Sequence, residues 1–151
     1  MAGMDASSMP AFEQAADAIV SGRLSTVREL APALIHVRSD LPHHATLLHY
    51  TSANGVEDAR QKTPPNIVEI ARLLLDLGAE VDAVADVYNG STTLGLVASS
   101  AHPARAGVQL ALIDLLLDYG AGIDAAPGGC RPVNAALAEC SGKTPELPAE
   151  R

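Results

Sequence analysis

The stretch ARLLLDLGAEVDA, residues 71–83, decides the fold because it recurs as IDLLLDYGAGIDA at residues 113–125, forty-two positions later. Eight of the thirteen aligned positions are identical: three Leu, two Asp, two Ala and one Gly. Chance rarely produces so close a match in so short a window. The chain therefore contains an internal repeat, and such repeats indicate stacked helical units that share one continuous core.

The first copy has the pattern of a helix that ends at a glycine. Its apolar residues recur at spacings of three and four, which places them on one helix face: Ile67, Ile70, Ala71, Leu74 and Leu75. Asn66 and Glu69 resemble a capping box at the start of this helix. Gly78 follows the last turn, where a left-handed residue ends helices, and Gly120 holds the same place in the second copy.

A shorter apolar stretch precedes each long helix: residues 46–53 (TLLHYTSA) and residues 92–99 (TTLGLVAS). The repeated unit is therefore predicted as a short helix, a loop, a longer helix, a glycine stop and a turn. Residues 12–37 are predicted to form an N-terminal cap of two helices, with Gly22 at the turn between them. Pro32 lies inside the second of these helical patterns and is expected to kink or end it.

These units resemble the ankyrin repeat. TLLH at residues 46–49 is similar to its T-P-L-H signature, and LLLDLGA at residues 73–79 is similar to its closing LLL-x-x-G-A. TTL at residues 92–94 opens the next unit less closely, and GCRPV at residues 129–133 opens a further one. The resemblance, to a bacterial-type protein with long insertions between helices, implies an all-α solenoid of stacked helix-turn-helix repeats.

The resemblance also implies how the chain is divided. Residues 1–11 are expected to be a flexible N-terminus and residues 12–140 an ankyrin-repeat domain, with a cap (12–41), two repeats (42–88 and 89–128) and a partial repeat (129–140). Residues 141–151 are expected to be a C-terminal tail or a truncated repeat. Because the partial repeat lacks its second helix, the array is either cut short, which we favour, or meets another chain through an uncovered C-terminal face.

The spacing of forty-two residues departs from the ankyrin period of about 33. The additional residues fall between the two helices of each unit, in residues 56–65 and residues 100–107. Loops accept such insertions at modest entropic cost, and they are common places for a binding feature to arise.

The charge and composition exclude several classes of partner. The formal net charge is −8 and no cluster of Lys or Arg is present, so we expect neither nucleic acid nor an anionic membrane as a partner. No apolar run reaches membrane-span length, and the opening residues lack the pattern of a signal peptide. Cys130 and Cys140 form no paired spacing and are interpreted as reduced thiols. We therefore expect an acidic cytoplasmic protein.

No motif for catalysis or cofactor binding is present in the sequence. The Gly-rich residues 126–129 lack the Lys-Ser/Thr of a phosphate-binding loop, and neither G-x-S-x-G nor H-E-x-x-H occurs. We therefore expect no enzymatic activity, no cofactor and no bound metal. The alternative is a metal-binding or enzymatic protein that uses His43, His44 and His49 with the inserted loops. The ankyrin resemblance instead implies a structural His49, hydrogen-bonded to the hydroxyl of Thr46.

The resemblance further implies where a partner would bind. Ankyrin-like arrays use their turn tips and the exposed side of their short helices, which form a concave strip. In this chain the matching candidates are His44, Tyr50, Ser52, Asn54, Asp86, Tyr88 and Asn89. We expect a protein-protein interaction scaffold or adaptor whose partner is another protein. The remaining alternative is a self-assembling structural module that forms a homo-oligomer through the C-terminal face.

Overall fold

The computed structural model of the chain describes residues 8–122, and the all-α class is confirmed for this part. The α-helices are α1 (Ser8–Ser21), α2 (Leu24–Leu34), α3 (Ile67–Asp76), α4 (Thr93–Ala98), α5 (Ala101–Arg105) and α6 (Gln109–Asp118). Two 3₁₀ helices span Leu48–Ser52 and Asp58–Arg60. Between residues 8 and 122 there is no strand, only an isolated antiparallel bridge between Ala85 and Ser91. The predicted partial repeat, the tail and both cysteines lie outside the described residues.

The helices pack in two rows. The first row consists of α1, the 3₁₀ helix Leu48–Ser52 and α4, each in contact with the next. The second row consists of α2, α3 and α6, arranged in the same way. Each member of the first row also packs against its counterpart in the second row. The described chain is therefore a succession of three helix pairs.

One hydrophobic core runs through all three pairs. Leu74 and Leu75 of the first repeated copy lie in the same buried cluster as Leu115 and Leu116 of the second. Helices α3 and α6 each contain ten residues, at positions that correspond across the offset of forty-two. The two repeated stretches therefore contribute leucines to one interior, and Leu74 and Leu116 do so from equivalent positions.

The two long helices end in the same way. Gly78 has a φ of 104° and Gly120 a φ of 96°. In each case the glycine N–H and the following alanine N–H donate back to carbonyl oxygens of the last turn, at 3.0–3.1 Å for Gly78 and Ala79 and 3.0 Å for Gly120 and Ala121. This pattern satisfies carbonyls that a helix end otherwise leaves without partners.

We expect Gly78→Val to lower the free energy of unfolding by about 1–3 kcal/mol. A Cβ at Gly78 would meet no heavy atom within 4 Å, so the cost comes from forcing a β-branched residue to a φ of 104°. Urea denaturation followed by circular dichroism measures the change. Glu80→Val, at an exposed site nearby, is the control and should be close to neutral. Equal stabilities of the two variants would contradict this account of the helix end.

The first predicted short helix is present as a 3₁₀ helix. In it the hydroxyls of Thr51 and Ser52 donate to the carbonyls of Leu48 and His49, at 2.7 and 2.6 Å. Ala53 follows in a left-handed conformation and ends the element. Side-chain bonds of this kind compete with the backbone bonds of an α-helix.

The N-terminal cap and the start of α3 differ in detail from what the sequence predicts. Helix α1 begins at Ser8, inside the stretch that the sequence assigns to a flexible N-terminus, and it accommodates Pro10 in its first turn, where no N–H is needed. Pro32 lies within α2, which ends two residues later at Leu34. Asn66 does not cap α3 with its side chain; its Nδ2 instead donates to the carbonyl of Gly22 at 3.0 Å. The amide therefore joins α3 to the turn between α1 and α2.

Candidate functional site

The tip between the second and third helix pairs is a short hairpin. Ala85 and Ser91 exchange two backbone hydrogen bonds, of 2.8 and 3.0 Å, and the N–H of Gly90 donates to the carbonyl of Val87 at 2.8 Å. Tyr88 and Asn89 occupy the centre of the turn with φ values of 51° and 65°. Positive φ at both central positions is typical of the mirror-image turns that close hairpins.

The preceding tip, which contains His43 and His44, is joined to this hairpin by polar contacts. The N–H of Asp86 donates to the carbonyl of His43 at 2.7 Å, and Nδ1 of His44 lies 2.7 Å from Oδ2 of Asp86. Arg38 donates through Nη1 to the carbonyls of His44 and Val84, at 2.9 and 2.7 Å. Two successive tips are thus held in a fixed relation to each other.

Tyr88 is connected to the row of short helices through Asn54. Its hydroxyl donates to Oδ1 of Asn54 at 3.1 Å, and Nδ2 of Asn54 donates to the carbonyl of Leu96 and to Oγ of Ser99, both at 3.1 Å. Tyr88 nevertheless remains 57% exposed. The ring is therefore held in place while most of its surface faces solvent.

The close approach of the hairpin to this corner depends on Gly55. Its φ is 76°, and a Cβ built there would lie 3.0 Å from a methyl group of Val87. A glycine lets the start of the inserted segment 56–65 pass directly beneath the hairpin.

The predicted contact residues separate into exposed and buried groups. His44, Asp86, Tyr88 and Asn89 are exposed and, with half-buried Asn54 at the inner edge, form what we call the tip surface. Tyr50 and Ser52 are only 1% and 0% exposed, so they lie beneath this surface instead of contributing to it. The reason is that the 3₁₀ helix Leu48–Ser52 is covered on all sides, by α1, α3 and α4.

His49 is buried below the tips, with both ring nitrogens occupied. Its Nδ1 accepts from the N–H of Thr46 at 2.9 Å and lies 3.0 Å from the Thr46 hydroxyl, and its Nε2 donates to the carbonyl of Ala83 at 2.9 Å. Burial lowers the pKa of His49 to about 4. The ring is therefore neutral at physiological pH and connects the first turn of one short helix with the segment leading to the next tip.

The three clustered histidines do not converge on one point. His43 donates through Nε2 to Glu57 at 2.9 Å, His44 faces Asp86, and His49 is engaged with Thr46 and Ala83. Within the described part of the chain, no group of three or more His, Cys, Asp or Glu side chains has the arrangement of a metal site. The geometry of these residues therefore gives the metal-binding alternative no support.

A half-buried polar network around Glu57 was not anticipated from the sequence. Glu57 accepts hydrogen bonds from His43, from the hydroxyl of Tyr50 at 2.9 Å and from Arg60, which also donates to Asp17 at 2.7 Å. Burial alone would raise the pKa of Glu57, but hydrogen bonds from its own backbone and these three side chains outweigh that effect and lower the pKa. The only local signal is the spacing of Glu57 and Arg60, which is common on soluble surfaces.

The outer face of α6 carries the most exposed leucines of the described chain. Leu110 is 74% exposed and Leu117 is 38% exposed. The homo-oligomer considered from the sequence would use the C-terminal face of the partial repeat 129–140, which lies outside the described residues. None of the helices between residues 8 and 122 has the length and apolar character needed to cross a membrane.

Comparison with known proteins does not place the chain in a family. No family model matches it, and no curated protein is similar enough to count as a relative.

Proposed function

We propose that the chain is an ankyrin-type repeat protein that binds another protein through the tip surface. The ankyrin assignment is supported by three features together: the internal repeat, the paired rows of helices, and the hydrogen bonds of His49 to Thr46 within the TLLH stretch. The same glycine stop at the end of α3 and α6 adds to this support.

The observation that carries the binding proposal is Tyr88. An exposed tyrosine whose position is already fixed by a hydrogen bond loses little side-chain freedom when a partner covers it. Tyrosine is also among the residues that most often dominate binding energy at interfaces. The contacts from Arg38 and from the His44–Asp86 pair hold the adjoining tip in the same way, so the surface is arranged before a partner arrives.

The proposal predicts a partner whose capture depends on the tip surface. Purified wild-type chain, crosslinked in a lysate of its source cells, should retain a specific protein, and Tyr88→Asn should weaken that binding by about tenfold or more. Asn is the replacement of choice because it tolerates positive φ, so the hairpin is preserved. Arg72→Ala, at an exposed site on α3, is the control and should bind as the wild type does.

Two results would count against the proposal. Absence of any specific partner would contradict the adaptor role itself. A partner that binds Tyr88→Asn as well as the wild type would contradict the assignment of the tip surface.

A further inference from the structure

The chemistry of the tip surface indicates which side chain of a partner it would take. The hydroxyl of Tyr88 already donates to Asn54, so its polar end is satisfied within the chain. The part of Tyr88 left for a partner is therefore its exposed ring, and the faces of an aromatic ring carry negative potential. A cation placed over that face is attracted electrostatically.

A carboxylate lies close to Tyr88 along the chain. Asp86 precedes Tyr88 by two residues, which limits their backbone separation to about 7 Å. Its side chain is 63% exposed, and one oxygen, Oδ2, contacts His44. Among residues 8–122 neither an arginine nor a lysine forms an ion pair with Asp86, and Arg38 donates to the carbonyls of His44 and Val84 instead. Within the described residues, Oδ2 of Asp86 is engaged by His44, whereas its second oxygen has no hydrogen-bond partner and is available to a ligand.

We propose that Tyr88 and Asp86 together bind a basic side chain of the partner, with arginine preferred. The guanidinium would stack on the ring of Tyr88 and donate to the free oxygen of Asp86. Arginine suits this pair better than lysine because its planar group can stack and donate hydrogen bonds at the same time. This inference rests on the proposed function and adds the chemical class of the ligand to it.

The charge of the whole chain favours the same ligand. Its 18 acidic residues outnumber its 10 basic residues, so the long-range field attracts cationic segments and repels acidic ones. An acidic peptide or a nucleic acid would meet repulsion at Asp86. A purely apolar segment would leave the exposed carboxylate of Asp86 facing an environment that cannot solvate it.

The test uses four blocked pentapeptides, Gly-Ser-X-Ser-Gly, in which X is Arg, Lys, Gln or Glu. Each peptide is titrated into the isotopically labelled full chain, and binding is followed by NMR. The Arg peptide should shift the amide resonances of Asp86, Tyr88 and Asn89 in a saturable manner. It should bind about fivefold or more tightly than the Gln peptide, and the Glu peptide should bind least. Raising the ionic strength from about 0.01 M to about 0.15 M should weaken the binding, because it shortens the screening length from about 30 Å to about 8 Å.

Matched variants separate a specific site from general attraction. Asp86→Asn should reduce affinity for the Arg peptide by about fivefold while leaving the Gln peptide unaffected. Asp58→Asn removes the same charge at an exposed position on the inserted segment and should leave Arg binding almost unchanged. Tyr88→Asn should also weaken the Arg peptide. The unshifted resonances of α3 and α6 serve as the check that each variant is folded.

The inference is overturned if the Gln peptide binds as well as the Arg peptide, or if Asp58→Asn and Asp86→Asn have equal effects. It is also overturned if no saturable shift occurs, or if the shifted amide resonances belong to residues outside the tip surface. Those failures leave the proposed function intact when lysate capture still depends on Tyr88. Failure of capture removes the proposed function, whatever the peptides do.

Discussion

Replacing Leu74 with alanine lowers the free energy of unfolding by about 2–5 kcal/mol. Leu74 is fully buried in the last turn of α3 and belongs to the core shared by the three helix pairs. Truncation removes apolar contacts and leaves a cavity that close-packed neighbours fill only in part. Leu116, its fully buried counterpart in α6, should show a loss in the same range.

Urea denaturation monitored by circular dichroism gives this quantity, provided that the slope of the transition is unchanged between variants. Leu110→Ala is the matched control, because the same chemical change is made at a leucine that is 74% exposed. Its effect should stay within about 0.5 kcal/mol. A silent Leu74→Ala would mean that the two repeated stretches do not share one interior.

Acid weakens the folded state through His49. Its pKa is lowered by burial from 6.5 to about 4, so between these values the unfolded chain binds a proton that the folded chain does not. The contribution of His49 to stability is complete above pH 6.5 and is lost as the pH falls towards about 4. The free energy of unfolding should decrease by roughly 3 kcal/mol across that window from this one residue.

The measurement is a series of urea transitions between pH 7.5 and pH 4 for the wild type and for His49→Gln. The variant should be less stable at neutral pH, because the N–H of Thr46 and the carbonyl of Ala83 lose a buried partner, at a cost of about 1–3 kcal/mol each. Its stability should then change little across the window where the wild type falls. His36→Gln, which removes an exposed ring at the end of α2, should retain the wild-type slope. The same slope in His49→Gln would refute the assignment.

Those parts of the fold that depend on local spacing could be predicted from the sequence. The apolar face of α3, its glycine stop and their equivalents in α6 follow from helix periodicity and from the left-handed conformation that glycine adopts. Contacts within one turn, such as Thr46 with His49, are local in the same sense.

Contacts between distant residues could not be predicted in this way. Asn66 looks like a helix cap in the sequence, yet its side-chain amide donates a hydrogen bond to the carbonyl of Gly22, forty-four residues earlier. That partner is close to Asn66 only in the folded structure. Tyr50 and Ser52 were expected on the exposed side of the first short helix, and their burial depends on three neighbouring helices. The candidate contact residues came from the ankyrin resemblance, whereas the hydrogen bond between Tyr88 and Asn54 depends on the packing of the hairpin over Gly55.

The ion pairs between Arg60 and α1 limit how freely the helix pairs of this molecule can be exchanged for others. In most stacked arrays a unit contacts its neighbours through similar surfaces, so units can be duplicated, excised or exchanged. Here the inserted segment of the second helix pair pairs with Asp17 and Glu13 of the first. A hybrid with a different N-terminal pair would leave that guanidinium with Glu57 alone unless it supplied equivalent carboxylates, so the first two pairs are best exchanged together.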